Sequence, residues 1–164
     1  MTLLVPFDGS ELARNALEKA SDFGDLLDEE LVVLTVIPDD ADYARERGWI
    51  TEGEPFDDEA IEAGLETRAK EVAPEATFRT ERVSSDEPTA TATKNVVREI
   101  RRVAGDIGAS VVFIGSENAG SVIAPQSSVG SPVASDQRYD VYVVRKPDAD
   151  VDPADVSDID SMVD

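Results

Sequence analysis

An open, doubly wound sheet of five parallel strands in the order 3-2-1-4-5, with helices on both faces, is the fold that the sequence predicts. Three observations predict it. Continuous apolar runs of strand length stand at residues 3–7 (LLVPF), 31–37 (LVVLTVI), 109–114 (ASVVFI) and 141–144 (VYVV). A run without polar alternation suits a strand covered on both faces, as in a parallel sheet. Segments of helical period separate these runs, so strand and helix alternate along the chain, the pattern of an α/β domain. The chain has 164 residues, the length of one domain or a domain with a tail, and enough to bury a useful core.

The first strand ends at Asp8-Gly9-Ser10, a turn in which Ser10 is a good helix N-cap. Residues 11–27 then place Leu12, Ala13, Ala16, Leu17, Ala20, Phe23 and Leu27 at helical spacing. The run at 31–37 completes a β-α-β unit, whose crossover is expected to be right-handed. Residues 38–56 are polar, contain Pro, Gly and many acids, and read as a loop. Within it Trp49-Ile50 is an apolar pair, suited to a flap that tucks onto the domain or onto a partner. Residues 57–72 read as a helix, ended by Pro74, and residues 77–83 (TFRTERV) as an edge strand, because charged residues discourage sheet-to-sheet pairing.

After a turn at 84–88, residues 89–107 carry Val96, Val97, Ile100, Val103, Ala104 and Ile107 as the apolar stripe of a helix. The fourth strand, at 109–114, opens into a Gly- and Ser-rich loop over 115–130, followed by a short helix over 131–139 and the last strand at 141–144. From Pro147 the chain is acidic, with Asp148, Asp150, Asp152, Asp155, Asp158, Asp160 and Asp164. Blocks of like charge rarely fold alone, so the domain is expected to span 1–146 and the tail 147–164 to be disordered.

In this strand order the chain reverses direction between strands one and four, which opens a crevice at their C-terminal ends, where ligands of open α/β sheets sit. The Asp8 turn and the Gly115 loop both leave strands at that edge.

Composition narrows the chemistry. The chain has no cysteine and no histidine, which removes disulfides, the usual zinc sites, Cys nucleophiles and Ser-His-Asp triads. The formal net charge is −21, from 36 acidic and 15 basic residues. That charge repels nucleic acid and anionic membranes, so neither is an expected partner. The acids are spread along the whole chain, and only Lys19, Lys70, Lys94 and Lys146 are lysines. This favours adaptation to high intracellular salt, which screens self-repulsion, over an acidic surface for a basic partner. No basic region precedes the apolar start and no run reaches the roughly 18 apolar residues of a membrane span, so a cytoplasmic location is expected.

The loop from Gly115 holds Gly115-Ser116-Glu117-Asn118-Ala119-Gly120, then nine residues, then Gly130-Ser131. Glycines let a phosphate approach the backbone, and Ser131 stands where a helix start would favour an anion. On glycine content alone, a surface loop of small residues fits equally well. Two familiar phosphate motifs are absent: Ser121-Val122 stands where a P-loop needs Lys and Ser/Thr, and no GxGxxG follows the first strand.

The opening Leu4-Val5-Pro6-Phe7-Asp8-Gly9-Ser10, backed by Ala13, Ala16-Leu17 and Ala20, resembles the start of universal stress proteins, and residues 31–36 resemble their second strand. Gly120, nine residues, Gly130-Ser131 is similar to the second half of that family's nucleotide signature. The resemblance implies binding of ATP or another adenine nucleotide, with or without Mg²⁺. Asp8 would accept hydrogen bonds from the ribose hydroxyls, Val36 would offer backbone groups and an apolar surface to adenine, Pro6 would join the nucleotide-binding residues, and Gly115, Gly120, Gly130 and Ser131 would surround the phosphates. It also implies a homodimer through the last strand, Val141, Tyr142, Val143 and Val144.

The chain departs from the family pattern in three places. Four residues rather than two separate Gly115 from Gly120, Glu117 lies between them, and Pro132, which lacks an N–H, follows Ser131. No catalytic constellation stands out; Asp39-Asp40 and Asp57-Asp58 are pairs that an acidic chain generates by chance. Tyr43 and Trp49 can stack on adenine or, as such residues more often do, pack locally. The expected role is a nucleotide-binding regulator of a stress response with an unidentified protein partner. A dimeric scaffold that binds no nucleotide and a weak ATP hydrolase are the alternatives.

Overall fold

The computed structural model describes residues 1–84, 90–115 and 138–145. In chain order its elements are β1 (Thr2–Pro6), α1 (Glu11–Leu27), β2 (Glu30–Pro38), α2 (Ala41–Glu46), α3 (Asp58–Val72), β3 (Thr77–Val83), α4 (Ala90–Asp106), β4 (Ala109–Gly115) and β5 (Asp140–Val144). The five strands form one sheet in the order β3-β2-β1-β4-β5, and each neighbouring pair is parallel. This is the fold class and strand order that the sequence predicts.

The alternation of side chains in the central strands makes two cores. Leu3, Val5 and Phe7 of the first strand segment pack with Val33, Ile37, α1 and α3 on one face. Leu4 packs with Val32, Leu34, Val36 and the Ile100, Val103, Ala104 stripe of α4 on the other. Both faces of β1 and β2 are therefore covered, which is why their sequences are apolar without interruption. Helix α1 starts at the Ser10 cap, whose Oγ accepts the Ala13 N–H at 3.2 Å. Ala16 and Ala20 are fully buried, and their small side chains let α1 lie close on the sheet. It ends at Asp28, in the left-handed region with φ 55°.

The edges differ. On β3, Arg82 donates to Asp58 at 2.7 Å and also to Glu62, tying the edge strand to α3. The bond from Arg82 holds the Asp58 carboxyl below its ordinary range. At the opposite edge, Tyr142 of β5 stacks on Phe113 at 5.2 Å between ring centroids, and Phe23 of α1 meets both rings.

The stretch over 38–56 corrects the sequence reading. It is not loop throughout: β2 runs on to Pro38, and α2 follows, capped by Asp40, whose Oδ1 accepts the Tyr43 N–H at 3.1 Å. A six-residue helix is too short to display a period, and helices of this length persist by tertiary packing; here Tyr43 and Ala44 are buried. The Trp49-Ile50 pair folds onto its own domain, with Ile50 inside the first core. The expected tail and most of the expected helix over 131–139 lie outside the described residues. Among the described residues no helix is long and apolar enough to cross a membrane.

Candidate functional site

The carboxyl end of β1 is locked to β2. Phe7 N–H donates to the Leu34 carbonyl at 2.8 Å, and the fully buried Thr35 donates its hydroxyl to the Phe7 carbonyl at 2.9 Å. The chain then turns at Gly9, whose φ of +80° favours glycine; a Cβ there would also come within 2.9 Å of Leu65. Asp8 is thereby delivered at the point where the sheet order reverses, between β2 on one side of β1 and β4 on the other.

Asp8 is held from three directions. Its Oδ1 accepts the Ser10 N–H at 2.9 Å, its Oδ2 faces Arg47 Nη1 at 3.3 Å, and its carbonyl accepts Trp49 Nε1–H at 2.7 Å. A carboxylate offers about four acceptor positions, so Asp8 retains capacity for further donors. The partners at Arg47 and Trp49 come from the α2 segment. There Trp49 N–H donates to the Ala44 carbonyl at 2.9 Å, and the Trp49 and Tyr43 rings meet edge-on at 5.6 Å. The Arg47 guanidinium lies 4.8 Å from the Tyr43 ring centroid.

Asp8, Tyr43 and Arg47 border a small hollow of about 40 Å³. Its floor is Pro6, Asp8, Leu34 and Val36; Tyr43 and Arg47 close one side, and Thr93, Val96 and Val97 of α4 the other. Three of the residues singled out in the sequence, Pro6, Asp8 and Val36, thus meet in one place. Gly115 ends β4 at the same edge of the sheet, packed against α1: a Cβ on it would stand 2.8 Å from Leu12 Cβ. Gly120, Gly130 and Ser131 lie outside the described residues. Of the acidic pairs, Asp40 and Asp57 cap α2 and α3, and Asp58 holds Arg82.

Tyr43 and Trp49 pack on one another, and Tyr43 also faces the hollow. Arg47 is the site residue that the sequence reading missed. The available signal was a cation inside an acid-rich segment that leaves β2 at the ligand edge, but its contact with Asp8 spans 39 positions and has no local signature.

Burial pushes the Tyr43 phenol above its ordinary pKa; Arg47 opposes the shift, and Asp8 and Glu46 add to it. The sign gives a prediction. A raised pKa in the folded state contributes stability that is fully present below the unfolded value of about 10 and is lost as pH rises through the folded value. Urea midpoints of wild type and Tyr43→Phe are expected to stay in constant relation up to about pH 10, the unfolded value. From there up to the folded value, the wild type should lose stability faster than the variant. Parallel decline on the alkaline side would contradict the assignment.

The chain belongs to the universal stress protein family, whose model matches residues 1–145. Solved structures share its fold. A universal stress protein in complex with cAMP has 21% identity and a TM-score of 0.51, over 88% of this chain and 96% of that one. A universal stress protein from Archaeoglobus fulgidus has 24% identity and a TM-score of 0.52, over 91% of this chain and 45% of that one. The hypothetical protein MJ0577 has 22% identity and a TM-score of 0.50, over 88% and 95%. No curated protein matches the chain.

Proposed function

We propose that this protein binds an adenine nucleotide, ATP or a relative of it, in the hollow at the ends of β1 and β2, and acts as a cytoplasmic regulator in a stress response. One observation carries this: Asp8, with acceptor capacity left, stands beside the apolar floor made by Pro6 and Val36. A carboxylate suits the ribose hydroxyls, and an apolar floor suits the base. The cAMP complex of a family member is in keeping with it.

The hollow, about 40 Å³, is well below the roughly 300–1,000 Å³ of ligand sites. A base therefore enters as the α2 segment, with Tyr43 and Arg47, swings outward. Among the described residues the hollow offers one carboxylate, Asp8, already engaged by Arg47, so Mg²⁺ would arrive on the nucleotide's phosphates rather than in a protein cage. A second copy pairing along the β5 edge would cover Tyr142, which is 39% exposed. The acidic surface is read as an adaptation to concentrated salt, consistent with a net charge of −21.

The test is to purify the protein in molar KCl, denature it and identify any released nucleotide by chromatography. Titration with ATP, with and without Mg²⁺, should then raise the melting temperature. A ligand at a hundred times its Kd stabilises by about 2.7 kcal/mol, which is roughly 5–10 °C for a chain of this size. No released nucleotide and no shift would leave the scaffold reading. Phosphate release that disappears in Glu117→Gln would support the hydrolase instead.

A further inference from the structure

A neutral ribose diol needs only a carboxylate, yet Asp8 is paired with a cation brought from 39 positions away. Side-chain exposures of 23% for Arg47 and 14% for Asp8 mean that both charges have left much of their water. The guanidinium lies near the Tyr43 ring, 4.8 Å from its centroid, and one Nη1 contact to Asp8 leaves further donors of its fork for a second anion. Among the described residues it is also the one cation bordering the hollow. The stretch after β4 brings none, since no Lys or Arg occurs between Arg102 and Arg138. The cationic charge at this site therefore stands at the ribose edge.

We infer that Arg47 selects, within the nucleotide class proposed above, those whose ribose is phosphorylated on the 3′ oxygen, as in a 3′,5′-cyclic nucleotide or a 3′-monophosphate. The inference rests on that reading of the hollow. Asp8 takes the 2′ hydroxyl, and the phosphate on the neighbouring oxygen falls beside Arg47, whose planar fork suits two phosphate oxygens. Such a ligand gives the guanidinium a replacement for Asp8. A nucleotide phosphorylated only at the 5′ position has no anion at this edge and enters against the intact ion pair.

Calorimetry with four probes, adenosine, 5′-AMP, 3′-AMP and 3′,5′-cyclic AMP, tests this on the full chain in molar KCl. The wild type should bind at least one of the two 3′-phosphorylated probes more tightly than 5′-AMP, by roughly ten- to a hundredfold, the range for a hydrogen bond to a charged group. Which of the two binds better distinguishes a cyclic ligand from a 3′ end. Arg47→Gln should collapse that ratio to within about threefold, and Arg47→Lys, a charge without the fork, should fall between. Equal affinities for 5′-AMP and both 3′-phosphorylated probes in the wild type would overturn the inference and leave nucleotide binding standing. So would equal losses for all four probes in Arg47→Gln, which is the mark of a clamp on the α2 segment. Failure of all four to bind the wild type overturns the inference, and overturns the nucleotide reading as well if ATP gives no shift in the titration above.

Discussion

Replacing Asp8 with Ala is expected to weaken nucleotide binding beyond calorimetric detection. Each ribose hydroxyl that donates to the carboxylate contributes about 1.5–3 kcal/mol, the range for hydrogen bonds to charged groups. Loss of one such bond lowers affinity roughly ten- to a hundredfold, and loss of two compounds it. Asp8→Asn keeps the shape and one acceptor oxygen but not the charge, and should fall between. The α2 segment is expected to stay in place in both variants. Trp49 binds the main-chain carbonyl of residue 8, not its side chain, and Ile50 remains in the core. The loss would then report the site and not a collapsed segment, and near-UV circular dichroism of Trp49 checks this. Undiminished affinity in Asp8→Ala would remove the ribose assignment.

Gly115→Val is expected to be the more damaging change to the fold. A Cβ at residue 115 stands 2.8 Å from Leu12 Cβ and 3.3 Å from the Leu12 carbonyl carbon. Neither atom can rotate away, so the first turn of α1 must shift as a body. Overpacking of this kind costs about 1–3 kcal/mol, occasionally more. Valine, with two methyl groups beyond the Cβ, belongs at the upper end, equivalent to a fall of roughly 6–12 °C in Tm. Gly115→Ala should show a smaller fall. Because α1 begins directly after the Asp8 turn, any loss of nucleotide affinity in these variants should follow the displaced helix. Unchanged melting in Gly115→Val would contradict the close approach of β4 to α1.

The central strands are legible in the sequence because both of their faces are covered, so that Leu3 to Val5 and residues 31–37 contain no polar interruption except Thr35. That threonine is itself buried and spends its hydroxyl on the Phe7 carbonyl. The edge strand β3 is legible for the opposite reason, since Arg79, Glu81 and Arg82 mark a surface that water reaches. The helix α2 is not legible. Its six residues complete fewer than two turns, and only the Asp40 cap hints at it. The half of the site built on β1 and β2 follows from strand order and the Asp8 turn. Arg47 does not, because an ion pair across 39 positions depends on how the segment after β2 folds back. Gly115 shows a different limit: a glycine that admits a phosphate and a glycine that admits a neighbouring helix are identical in sequence.

Trp49 is the sole tryptophan of the chain, and its indole nitrogen is fastened to the backbone at the ligand edge. The protein therefore carries a single indole fluorophore, placed on the segment that moves outward in the mode of binding proposed above. A change in its emission maximum on mixing would time that motion directly, without any label.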